Sequence, residues 1–202
     1  MVLELLVGVG AGLGIGLSLA APPGPVNAII ASHAVTRSWR AGFLVGCGAM
    51  TADAGFLIVA VLAGSVLLNS RLWFPALALV GAAVLLFFAV GAARALRRGD
   101  VVRPEAESQA ASYATGLLAN LTSPYPLVWW LTAGLILIGQ LGPAVLAGFF
   151  SGILLWIVGF PWALRAAQRR FTRTYRAVLV FSIGVLAAFA AFLVWTAVDL
   201  LV

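Results

Sequence analysis

One carboxylate stands apart because of where it lies. Asp53 sits in a run, roughly 41–69, that holds no other charged side chain. Thirteen residues separate it from Arg40, about 20 Å along an ideal helix. A charge at that depth in an apolar segment is costly unless a partner or water meets it, so its default reading is functional. No basic residue lies at similar depth. Its partner is then a cationic group of a solute, a proton or a metal ion; the rival reading is a protonated, hydrogen-bonded acid that ties helices together.

Two proline clusters, Pro22-Pro23-Gly24-Pro25 and Pro124-Tyr125-Pro126, fall inside other apolar runs. Proline removes a backbone donor and frees the carbonyl of an earlier residue. In hydrocarbon such groups survive only against protein or a wet cavity. Asn27 follows the first cluster by two residues, and Asn120 precedes the second by four, with Thr122, Ser123 and Tyr125 close by. These polar groups either receive a solute's polar atoms or satisfy the freed carbonyls. Trp129, Trp130 and Trp156 either line a cavity or pack as core.

Other chemistries lack their parts. The single cysteine, Cys47, makes neither an internal disulfide nor a paired redox centre and reads as a small packing residue. Serine proteolysis needs a histidine at depth. The one histidine, His33, stands a turn before Arg37 and reads as a snorkelling interfacial residue. Metal catalysis needs several ligands, and Asp53 is nearly alone. A channel would repeat a polar stripe along a pore, and none is visible. The expectation is no enzyme and no cofactor.

The elements that must position these residues are membrane helices. Of 202 residues, 63% are hydrophobic and only 9% charged, with a mean hydropathy of +1.12. A soluble domain carries roughly 25% charged residues. Apolar stretches run about 5–36, 41–69, 72–93, 112–138, 143–164 and 177–198, each long enough for the ~20 residues of a span. None alternates as barrel strands do, so the spans are helical. The first is too long for one straight span and holds Pro22 to Pro25, so it must be tilted, broken or both. The N-terminal segment lacks the basic region of a secretory signal and is read as retained.

All twelve basic residues are arginines, and eleven fall in the loops 37–40, 94–103 and 165–176; Arg71 alone lies on the other side. Positive-inside bias therefore places both termini outside the cytoplasm. Arginines between apolar runs are membrane flanks, which argues against nucleic-acid binding. The polar stretch 99–111 reads as a cytoplasmic linker between two three-span halves, 1–98 and 112–202.

Because three is odd, two such halves would be inverted. Pro23-Gly24-Pro25 is echoed by Pro124-Tyr125-Pro126, and Ala41-Gly42-Phe43-Leu44-Val45-Gly46 by Ala147-Gly148-Phe149-Phe150-Ser151-Gly152. Matching interruptions in two halves point to a transporter's midplane site. Gly8, Gly12 and Gly16, like the pairs Gly42–Gly46 and Gly148–Gly152, space small residues for close helix packing.

Pro23-Gly24-Pro25, Arg40-Ala41-Gly42, Gly46 and Ala52-Asp53, then Gly116-Leu117-Leu118-Ala119-Asn120 and Pro124, resemble the signatures of the lysine-exporter (LysE/RhtB) family, in order and over essentially the whole chain. Ser123 stands where that family usually has a second asparagine, and Ser38 replaces a loop glycine. The resemblance implies a multi-pass exporter in a prokaryotic inner membrane that moves amino acids or similar small polar metabolites, driven by the proton gradient. It implies inverted three-helix repeats, Pro-broken helices 1 and 4 and a homodimer. Carried over by position, its site comprises Pro23, Gly24, Pro25, Asp53, Asn120 and Pro124; Asn27, Ser123, Tyr125 and Trp130 join them on the residue reading. A metal-ion exporter or a channel on the same architecture is the alternative.

The arginine pattern has a direct test. In a Cys47→Ala background, a cysteine at Gln140 should react with a membrane-impermeant maleimide in intact cells. One at Ser38 should react only after permeabilisation; the reverse pattern would invert the topology.

Overall fold

The computed structural model describes residues 2–68, 73–98, 108–170 and 174–201. These residues are almost wholly helical. In chain order they form α1 (Val2–Ala20), α2 (Pro25–Thr36), α3 (Trp39–Leu68), α4 (Trp73–Arg98), α5 (Gln109–Leu121), α6 (Pro124–Trp129), a π-helical turn (Trp130–Gly134), α7 (Leu135–Leu141), α8 (Ala144–Arg170) and α9 (Thr174–Leu201). Most of the expected linker, 99–107, lies outside the described residues, as do Arg71, Arg103 and Arg173.

Six segments are long and apolar enough to cross a membrane: α1, α3, α4, Pro124–Leu141, α8 and α9. Leu3, Leu62 and Phe87 are each more than 70% exposed, as side chains with lipid for a solvent would be. Within its limits the sequence-based span count is met, and the protein is an all-helical multi-pass membrane protein.

The first apolar stretch is not one helix. It divides at 21–24 into α1 and α2, and Gly24 stands in extended backbone with φ −156° and ψ 177°. At 1.5 Å per residue the 12 residues of α2 reach only about 18 Å. The fourth stretch divides likewise at Thr122-Ser123, leaving α5 as a second short helix of 13 residues. Both interruptions coincide with the proline clusters, where the missing donors deny the helix its next bonds.

α2 is the central post. Every residue from Asn27 to Val35 is buried, and the helix touches α3, α5, α8 and α9. This overturns the interfacial reading of His33. It lies inside the protein, its Nδ1 3.2 Å from Arg37 Nη1, because no face of α2 meets solvent. Neighbours grip the post by its carbonyls. Ser182 Oγ donates to Ala28 O at 2.8 Å, and Gln168 Nε2 to Val35 O at 3.0 Å.

Around the post, helices pair in long seams: α1 along α8, α5 along α3, and α4 along α9. Glycine sets the first two. A Cβ on Gly12 would strike the backbone of Val145 and Phe149, and one on Gly148 the backbone of Val9 and Leu13. In the other seam, Gly116 abuts Val45, and Gly48 abuts Tyr113 and Leu117. Without a hydrophobic drive between helices in lipid, such backbone-on-backbone contact is a main source of association. Gly42 and Gly46 do a different job from their sequence echoes Gly148 and Gly152. They pack on Ile30, Pro161 and Ile157, whereas Gly148 and Gly152 pack on α1.

Substitution separates seam from surface. Gly12→Leu should cost about 1–3 kcal/mol or more through overpacking. Gly14→Leu, with nothing within 4 Å of its Cβ, should leave thermal stability in detergent unchanged.

Candidate functional site

The two helix breaks face one cavity of about 510 Å³ in the middle of the bundle. Of the residues singled out in the sequence, Gly24, Pro25, Asn27, Asp53, Asn120, Ser123 and Tyr125 line it. Pro23, Pro124 and Trp130 do not. Pro124 is fully buried behind it. Trp130 is 1% exposed and packs edge-on against Phe149, so Trp129 takes the place on the wall. The π-helical turn begins at Trp130, and its extra residue changes the angle at which successive side chains leave the axis.

The first break is held by Asn27. Its amide nitrogen donates to Ala20 O and to Pro22 O, two carbonyls that the broken helix leaves without partners. Its oxygen accepts from Trp156 Nε1 at 3.0 Å. Both amide hydrogens are thereby committed, so the arrangement makes Asn27 a satisfier of backbone groups. Gly24 has nothing nearer than Pro22 O at 4.0 Å to meet a Cβ. A side chain there would project into open space that the cavity now occupies.

The second break is capped from within. Thr122 N donates to Leu118 O at 3.0 Å, Thr122 Oγ1 to the same carbonyl at 2.8 Å, and Ser123 N to Asn120 O at 3.1 Å. Asn120 reaches across to α3, where its amide nitrogen donates to Ala49 O at 2.8 Å. Its side chain also stands beside the Asp53 carboxyl group. Among the described residues no ion pair reaches Asp53. The cavity thus holds one carboxylate, anchored by a neutral amide and open on its other side.

Two helices begin at this cavity without a side-chain cap: α2 behind Gly24 and Pro25, and α6 behind Ser123 and Pro124. The first N–H groups of a helix have no partner inside it and carry the positive end of its dipole. Val26 and the backbone N–H of Asn27 are such groups on α2. The site therefore combines an acidic side chain with the uncapped start of a helix on one wall.

The remaining wall is aromatic and aliphatic. Trp129 stacks on Phe149 with centroids 5.1 Å apart and planes at 19°, and Trp156 on Phe160 at 5.0 Å and 13°. Gly81 and Leu85 of α4 and Phe189 and Leu193 of α9 also belong to it. Sequence reasoning missed these four, because one apolar residue in an apolar helix looks like the next.

With this geometry in view, the comparisons with known proteins become informative. The family model for LysE type translocators matches residues 17–201. The chain belongs to the LysE type translocator family. It is also 28% identical over 148 residues to the Bacillus subtilis (strain 168) protein named "Putative amino acid efflux protein YcgF", covering 68% of this chain and 71% of that one. No solved structure matches it significantly. As a LysE type translocator the protein is a transporter and not an enzyme.

Removing the Asn27 side chain leaves Ala20 O, Pro22 O and Trp156 Nε1 unsatisfied. Asn27→Ala should lower stability by roughly 1–3 kcal/mol, and Trp156→Phe, which leaves the two carbonyl bonds in place, by less. Thermal unfolding in detergent checks the order.

Proposed function

We propose that this translocator is a secondary-active exporter of amino acids or related small polar metabolites, coupled to protons, with alternating access around the central cavity. The observation that carries the reading is the placement of Asp53, a carboxylate without a basic partner, on the wall between two interrupted helices. A substrate's ammonium group meets Asp53, and its carboxylate meets the uncapped start of α2, the use that transporters make of half-helix N-termini. On the outer side the ammonium leaves and a proton takes its place on the carboxylate. The neutral acid then returns, so that one proton enters for each substrate expelled.

The halves 1–98 and 112–202 are related as inverted repeats. The two glycine seams support this relation, since they repeat one pattern. Val9, Gly12 and Leu13 of α1 correspond to Tyr113, Gly116 and Leu117 of α5, while Val145 and Gly148 of α8 correspond to Val45 and Gly48 of α3. Each half thus lends its first helix to the second span of the other. Under the arginine pattern both termini face away from the cytoplasm. Among the described residues no three of His, Cys, Asp and Glu come together, which favours an organic cation over a bare metal ion as cargo.

Asp53→Asn is the test. The variant should fold, with unchanged elution and helical content. Efflux from proteoliposomes under an imposed pH gradient should fall at least ~30-fold, the lower edge of the 2–5 kcal/mol lost when one member of a buried charge pair is removed. Full gradient-driven efflux by the variant would sink the coupling role of Asp53.

A further inference from the structure

The chemistry of the cavity wall beyond Asp53 constrains the cargo more narrowly, and this step rests on the exporter reading above. An amino acid with its ammonium on Asp53 and its carboxylate on α2 must place its side chain somewhere in the same enclosure. What remains to receive it is mostly apolar, with Leu85, Trp129, Ile153, Trp156, Phe189 and Leu193 its largest groups. We propose that the cavity selects neutral amino acids with large apolar or aromatic side chains.

Charge makes the first argument. Among the described residues Asp53 is the only carboxylate on the wall, and no Arg, Lys or His lines it. The substrate's own ammonium occupies Asp53. A second cation, as on a lysine side chain, would be stripped of water with nothing to pair it, and an acidic side chain would fare no better. Polar neutral side chains meet a similar difficulty. Thr132 Oγ1 already donates to Val128 O, the Asn27 amide hydrogens are spent on Ala20 O and Pro22 O, and Asn120 Nδ2 donates to Ala49 O, which leaves Ser123 and Tyr125 as the other polar neutral side chains on the wall. A buried hydroxyl would have few partners to replace water.

Shape makes the second. Trp156 is fixed twice, by its ring stack on Phe160 and by its bond to Asn27, and Trp129 is fixed by its stack on Phe149. Flat walls held this way offer apolar contact without first having to be ordered, which raises affinity for a side chain that fills the space. A volume of about 510 Å³ leaves room for a bulky side chain and would leave a small one loosely held.

Counterflow tests this without depending on which ion is coupled. Proteoliposomes are loaded in turn with millimolar leucine, phenylalanine, tryptophan, alanine, threonine, lysine or glutamate, and uptake of the same labelled amino acid is followed. Leucine, phenylalanine and tryptophan should exchange at least about tenfold faster than lysine, glutamate or threonine, the scale on which side-chain pockets discriminate. Phe189→Ala should narrow the phenylalanine-to-alanine ratio by a similar factor. Lysine, glutamate or threonine matching the apolar set would overturn the selectivity and leave the exporter reading standing. An unchanged ratio in folded Phe189→Ala would overturn the assignment of this wall to the side chain. Exchange of none of them by monodisperse, helical protein would overturn both the selectivity and the amino-acid exporter reading.

Discussion

A broken helix inside a bilayer must find partners for its own backbone, and much of this structure answers that demand. Lipid offers no hydrogen bonds, so each carbonyl freed at 21–24 and at 122–123 needs a protein group or a wet cavity beside it. Asn27, Thr122 and the backbone of Ser123 supply the first. The cavity between the breaks stands where the second would be. A chamber with a few polar groups at its breaks thus follows from interrupting two helices at the same level, and the interruptions are in turn tolerable because the chamber exists.

The surrounding bundle keeps those breaks in register. Glycine seams bring α1 onto α8 and α5 onto α3 at backbone distance, which fixes the first helix before each break against a longer one. α2 meets Gly42 of α3 at Ile30 O and is held besides by hydrogen bonds to its carbonyls from α8 and α9. Close packing therefore positions the outer helices, and directional bonds are added to it at the central one.

Much of this was legible from residue types. The span count follows from hydropathy, the breaks from proline, and the weight on Asp53 from its isolation. Partner identity was not legible. Asn27 and Asn120 look alike in sequence, flanking similar proline clusters. Only the fold shows that one is spent on the Ala20 and Pro22 carbonyls while the other stands beside Asp53. Gly48 lies among Gly42 and Gly46 with nothing local to mark it, and its meaning appears only when Tyr113 and Leu117 arrive from a distant part of the chain. His33 was misplaced because a half-helix surrounded on every side leaves no interface to snorkel toward. Trp129 and Trp130 are adjacent and alike in sequence, and only the fold puts the first on the cavity wall and the second in the core.

Trp156 belongs to two structures at once, since its ring forms part of the cavity wall and its Nε1 holds Asn27 against the first break. Divergence within such a protein is therefore uneven. Phe189 touches the cavity, is only partly buried and carries no backbone load, so it can be exchanged to admit new cargo at little structural risk. Trp156 cannot be retuned without loosening the helix that it steadies. A lineage exploring new substrates would drift at the first position and stay anchored at the second.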